Sequence, residues 1–278
     1  MNSSSYKANL YALLTIFMFM VFSCGPASPW ESTLNDSRRS LLNSKNLEAI
    51  ASIEQSLPFT FAIIGDPQGS PGVFKKTVED LEAHSDVKFL LILGDMTNLG
   101  FKHEYLWALD ALERSPVPFL VVPGNHDALA FGKELYQEIF GPFDYIFSYA
   151  GVRFLMWNNN KLEFLSHPTT GKLLWLEDNL RENDVVVSHI PPAIDVHTRH
   201  EIEAWESLYN ERKPLVSLHG HRSKSLDLVS GVPVYVTGMV RKGGGAYGLV
   251  TIENNKIMGQ GYNVSIRSCQ RQVCADSL

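Results

Sequence analysis

Three apolar runs, each closing on a loop of glycine with aspartate or asparagine and set roughly thirty residues apart, constrain this chain most. Phe59–Ile64 leads into Gly65-Asp66-Pro67-Gln68-Gly69, Lys88–Leu93 into Gly94-Asp95, and Val117–Val122 into Pro123-Gly124-Asn125-His126-Asp127. Nearly uninterrupted apolar runs of this length suit strands covered on both faces of a sheet. Between them, segments 73–84 and 101–114 read as helices, the second with Phe101, Tyr105, Leu109 and Leu112 on one face. Strand, helix, strand, helix, strand at this spacing predicts βαβ units with parallel pairing. In such sheets the ligand crevice lies beyond the carboxyl ends of the strands, so Asp66, Asp95 and Asn125/His126 are expected to converge.

The second half adds shorter strand-like segments at 144–150, 152–158, 184–188, 214–218, 225–229, 232–237, 246–252 and 256–262. Helices are expected over 129–140, 170–182 and 198–210. Two of the strands end on histidines, at Val187-Ser188-His189 and at Leu218-His219-Gly220-His221. Asp, Asn and His at strand ends make the donor set of a dinuclear site: carboxylates neutralise and bridge cations, and neutral imidazoles set the geometry. Two cations about 3.5–4 Å apart clamp a phosphate and lower the pKa of a shared water.

Charge narrows the field. The formal net charge is −6, with Lys and Arg outnumbered by Asp and Glu and not clustered, so a nucleic-acid polymer is not an expected partner. Positive charge for a phosphate ester must then come from metal ions. No Gly-x-Ser-x-Gly is present and none of the three cysteines reads as a nucleophile, which argues against covalent hydrolase chemistry. Zinc-finger spacing is absent as well.

At the N-terminus, Lys7 precedes an apolar run from Leu10 to Phe22. It is shorter than the about 20 residues a spanning helix needs and matches the core of a signal peptide. It ends at Val21-Phe22-Ser23-Cys24-Gly25, which resembles a lipobox. The expected organisation is a lipoprotein signal peptide over 1–23, a tether with weak helix over 24–57, one catalytic domain over 58–265 and a tail over 266–278. The mature protein is expected to be exported and lipid-anchored to the bacterial cell envelope, on its periplasmic or extracellular face. Cys269 and Cys274 are open to a disulfide or to two free thiols. Oligomeric state is not set by the sequence.

Asp66-Pro67-Gln68, Gly94-Asp95-Met96-Thr97-Asn98, Gly124-Asn125-His126-Asp127, His189-Ile190-Pro191 and Gly220-His221, in this order, resemble the calcineurin-like metallophosphoesterase superfamily. The resemblance covers roughly 59–262. It implies an α/β fold, a four-layer α/β/β/α sandwich of two mixed sheets flanked by helices, with a metal centre at one edge. It also implies metal-dependent hydrolysis of phosphoric mono- or diesters, with a metal-activated water as nucleophile and a phosphorylated small molecule or lipid as substrate. Asp95 would bridge the metals, Asn125, His189 and His221 would complete the second metal's shell, and Asp66 with Gln68 would hold the first. His126 would face the scissile phosphate as acid or charge stabiliser, with Asp127 as its orienting partner.

The chain departs from the family pattern twice, with Gln68 where Asp-x-His has histidine and Ser223 where Gly-His-x-His ends. Both changes fall on the first metal. A carboxamide and a hydroxyl there suit Mn2+ or Mg2+ better than Zn2+, with Fe also open and Mn2+ favoured. Alternatively the site holds one metal, or His219, His197 or His200 substitutes. A degenerate domain acting as a non-catalytic envelope binding or scaffold protein is the rival reading.

Overall fold

The computed structural model describes residues 31–164, 173–192, 196–222, 225–237, 240, 244–254, 256–265 and 272–274. The expected signal peptide, Cys24, Ser223 and Cys269 lie outside them. Among the described residues, twelve strands form two six-stranded mixed sheets. The first runs in the order β12 (Gln272–Cys274), β11 (Lys256–Ser265), β10 (Gly244–Glu253), β1 (Phe59–Ile64), β2 (Val87–Ile92), β3 (Phe119–Val121). Its β1–β2 and β2–β3 pairs are parallel, and β10 and β11 are antiparallel additions. The second runs β4 (Tyr145–Tyr149), β5 (Val152–Met156), β6 (Val185–Val187), β7 (Val216–His219), β9 (Val232–Val236), β8 (Ser225–Val229), with β5, β6, β7 and β9 parallel.

The period-2 alternation of strand side chains sorts these residues into layers. In β1, Phe59, Phe61 and Ile63 face the second sheet, while Ala62 and Ile64 face helices α2 (Pro71–Glu79) and α3 (Lys102–Leu112). Between the sheets, Phe61 stacks on Phe89 with centroids 5.2 Å apart, and Phe154 meets Phe89 edge-on at 5.6 Å. On the far side, Val186 and Val234 pack under α5 (Leu173–Asn179) and α6 (Arg199–Arg212) with Trp205 and Leu208. The result is the expected helix, sheet, sheet, helix sandwich.

Some boundaries move for physical reasons. The third strand, expected over 117–122, pairs over Phe119–Val121 because Pro118 and Pro123 flank it without N–H groups. The helix expected over 73–84, α2, passes into a 3-10 turn at Asp80–Ala83, and helix α4 (Gly132–Phe140) starts only after a 3-10 turn at His126–Ala128.

The stretch expected to be a tether is docked over its described part. Its helix α1 (Leu42–Ala51) buries Ile50 in the inter-sheet core and lays Asn43 along β3, the free edge of the first sheet. The Asn43 amide donates to Val121 O at 3.1 Å, and its oxygen accepts the Val121 N–H at 2.9 Å. The side chain thus covers a strand edge that would otherwise be exposed. A tether with weak helix was expected; one asparagine satisfying both backbone groups fastens it. Asn43→Ala leaves the Val121 N–H unpaired and is expected to cost about 2 kcal/mol. In urea unfolding the midpoint should fall with an unchanged slope, and an unshifted midpoint would return the segment to a tether.

Candidate metal centre

Five loops converge where β1, β2, β3, β6 and β7 end. Asp66 N donates to Gly94 O at 3.2 Å, Gln68 N to Asp95 O at 3.0 Å, and Gly220 N to His189 O at 3.1 Å. Two glycines permit this approach. A Cβ on Gly94, whose φ is +86°, would lie 2.7 Å from the Gly124 backbone and 2.7 Å from His189 Nδ1; one on Gly124 would lie 2.1 Å from Asp95 Oδ1. Asp66, Asp95 and His221 hold φ values of +52°, +57° and +69°, a left-handed region costly for residues with a Cβ. Three such residues at one locus mean that the surrounding packing imposes the conformation in order to aim their side chains.

The aimed atoms form one cluster. His189 is fully buried, and its Nδ1 donates to Leu93 O at 2.7 Å, which leaves the Nε2 lone pair facing the cluster. Nε2 lies 3.3 Å from Asp95 Oδ2, 3.2 Å from Asn125 Oδ1 and 3.0 Å from His221 Nδ1. His221 Nδ1 is 3.1 Å from Asn125 Oδ1, while its backbone N–H donates to Asp66 Oδ2 at 2.8 Å. One donor atom each from Asp95, His189 and His221 lie within 4.8 Å of one another. Asp66 Oδ1 is buried without a hydrogen-bond partner.

The electrostatics match the geometry. Burial, with help from the neighbouring Asp95 charge, pushes Asp66 up to about 7. Burial opposes a proton on His189, yet the Asp95 and Asp66 carboxylates raise its pKa to about 9. Burial and the nearby His189 push His221 down to about 4. Burial likewise works against charge on Asp95, but His189 beside it holds the carboxyl below its ordinary value. The pocket selects positive charge at the point where two imidazoles, a carboxamide oxygen and a carboxylate meet. Nitrogen and oxygen acceptors in this ratio fit a divalent cation of the Mn2+, Fe2+ or Zn2+ kind.

His126 stands beside the cluster. Its backbone N–H donates to Asp95 Oδ1 at 3.0 Å, and its Nδ1 sits 2.7 Å from Asn98 O. Asn98 O can only accept, so Nδ1 carries the proton. The expectation that Asp127 orients this ring is corrected: the Asp127 carboxylate accepts from Thr97 N at 2.9 Å, Thr97 Oγ1 at 3.0 Å and Gly124 N at 2.9 Å. It is 1% exposed, so it ties the second and third loops together from below and does not face the crevice. Burial, then repulsion from Asp95, raises its pKa to about 6.

A sequence model of the calcineurin-like phosphoesterase family matches residues 59–223, more than half of the chain. The chain belongs to the calcineurin-like phosphoesterase family. No curated protein matches this phosphoesterase in sequence. Among solved structures, PhoD aligns with a TM-score of 0.55 at 12% identity, covering 81% of the phosphoesterase and 73% of PhoD. The purple acid phosphatase PPD1 from yellow lupin seeds aligns with a TM-score of 0.50 at 13% identity, covering 79% of the phosphoesterase. The aligned part is about half of the lupin structure, 53%. At these identities the likeness is one of fold.

Gln68 of the phosphoesterase lies beside Asp95. Oriented to satisfy its neighbours, its carboxamide nitrogen donates to Asp95 Oδ2 at 3.3 Å and to Thr97 O at 2.9 Å. His219 is withdrawn as a substitute ligand, since its ring nitrogens lie 3.1 Å from Ser188 Oγ and 2.6 Å from Ser217 Oγ in a fully buried network. His197 packs edge-on against Trp205 at 5.4 Å, and His200 is exposed on α6.

Three supports were not anticipated from the sequence. The Leu93 and Asn98 carbonyls fix the two key imidazoles, and no side-chain pattern signals a backbone acceptor. The buried run Asn158-Asn159-Asn160 braces the loops from behind, Asn160 Nδ2 donating to Pro123 O at 2.8 Å and Asn159 Oδ1 accepting from Ile190 N at 3.1 Å. Three consecutive asparagines after an apolar strand were the available signal.

Proposed function

We propose that this phosphoesterase hydrolyses phosphoric mono- or diesters with one tightly held divalent cation, and that it works outside the cytoplasm from a lipid anchor on Cys24. The convergence of Asp95 Oδ2, Asn125 Oδ1, His189 Nε2 and His221 Nδ1, with the His189 Nδ1–H donated to the Leu93 carbonyl so that the Nε2 lone pair turns inward, is the observation that carries the hydrolytic reading. A divalent cation, when bound, supplies positive charge to phosphoryl oxygens and acidifies water. The chain does the remaining work. Asp95, Asn125, His189 and His221 hold the cation, and Asp66 fixes the His221 backbone. His126 is outside that set, and with Nδ1 tied to Asn98 its Nε2 is the atom left for chemistry. Protonated, it neutralises charge on the phosphoryl group or hands a proton to the leaving oxygen.

Gln68 bonded to Asp95 Oδ2 supports a first metal position reduced to Asp66 and a share of Asp95. Protein lacking the first 24 residues should take up one tight equivalent of Mn2+ and hydrolyse a generic phosphomonoester or diester, losing activity to a chelator and regaining it with Mn2+. A bound cation without turnover, across Mn2+, Mg2+, Fe2+ and Zn2+, would leave the second reading, a non-catalytic envelope binding protein, which the Gln68–Asp95 bond favours. Two equal tight equivalents would contradict the reduced first position.

The anchor rests on the Leu10–Phe22 run ahead of Cys24. Among the described residues no helix is long and apolar enough to cross a membrane. The full chain should incorporate labelled palmitate and the Cys24→Ser variant should not; equal labelling of both would refute the anchor.

A further inference from the structure

A cavity of about 170 Å³ lies between the loops that follow β1 and β2 and the helices α2 and α3. Pro67, Met96 and Asn98 form one wall, and Phe74, Trp107 and Ala108 form the other. The first wall belongs to the chemistry: Pro67 follows Asp66, Met96 follows Asp95, and the Asn98 carbonyl holds His126. A group seated there is held by the same loops that carry Asp66 and Asp95.

The second wall contains an unusual residue. Trp107 is 51% exposed although it lines a cavity, with His103 one turn away and edge-on at 4.8 Å. Tryptophan presents a large flat face at small entropic cost and is favoured where a ligand will cover it. Glu104 also lines the cavity, but its carboxylate is taken by three backbone N–H groups, those of Asn98 at 3.2 Å, Leu99 at 3.0 Å and Phe101 at 3.1 Å. The lining as a whole thus offers ring faces, a methionine and a carboxamide, with its carboxylate already satisfied.

We propose that this cavity is a substrate subsite that takes one flat ring of the ester's organic group, with Trp107 as its specificity-determining residue. The proposal rests on the reading of the centre as a phosphoesterase, and it names ring-bearing phosphoesters as the substrate class. Size supports a single ring, because an apolar cavity of about 150 Å³ admits benzene. Stacking of a ring on an aromatic side chain gives the preference, about tenfold.

Binding of phenylphosphonate and of methylphosphonate, neither hydrolysable, to the Mn2+-loaded protein tests the subsite by calorimetry. Phenylphosphonate should bind about tenfold tighter than methylphosphonate to the wild type. Trp107→Ala should abolish that preference while leaving methylphosphonate unchanged, and Trp107→Phe should keep most of it. Equal affinity of the two ligands for the wild type, a preference that survives Trp107→Ala, or an equal loss for both ligands would each overturn the proposal. Binding is read without turnover, so a protein that shows the Trp107-dependent preference but hydrolyses nothing would sink the hydrolytic reading and keep the subsite.

Discussion

Asp95→Asn should lower turnover by roughly three orders of magnitude, about 4 kcal/mol of transition-state stabilisation, and should weaken Mn2+ binding in parallel. Asp95 Oδ2 is the only charged oxygen that the described structure places beside His189 Nε2, at 3.3 Å, and the same carboxylate draws the His189 pKa up to about 9. Taking away that charge removes the strongest attraction for a cation and leaves the shape of the pocket. The fold should survive. Asparagine tolerates the left-handed backbone at φ +57°, and its Oδ1 can still accept the His126 N–H. Stability without metal should nevertheless fall, because the buried His189 loses its charged partner. A variant that unfolds, or one that keeps its cation and its rate, would contradict this assignment.

His126→Ala should give the opposite signature. Its ring is tied to the Asn98 carbonyl and not to the donor cluster, so cation affinity and stoichiometry should stay at wild-type values. Turnover should fall by about 10²–10⁴-fold, the usual range for loss of a positioned acid or base. Loss of the cation on this substitution would make His126 a ligand and would refute its separation from the cluster.

The fold was legible because apolar runs and chemically loaded loops coincide. Phe59–Ile64 and Val87–Ile92 are buried on both faces, and five loops following parallel strands can only meet at one edge. The ligand candidates were legible for the same reason. What the sequence hid was direction. Asp127 follows His126 and reads naturally as its partner, yet a 3-10 turn sends its carboxylate down to Thr97 and Gly124. The identity of Gln68 is plain in the sequence, but whether it donates or ligates depends on Thr97 O, a backbone atom three-dimensionally beside it. Asn43 is one polar residue in a weakly patterned stretch, and its value comes from an unpaired strand edge nearly eighty positions away. Backbone partners and sheet edges leave no pattern in a single chain.

The central claim is that Asp95, Asn125, His189 and His221 share one cation. The direct measurement is an anomalous difference map from crystals grown with Mn2+, recorded at the manganese edge. One strong peak is expected about 2.0–2.3 Å from Asp95 Oδ2, Asn125 Oδ1, His189 Nε2 and His221 Nδ1. A map with manganese elsewhere, or with none among these four atoms, would contradict it.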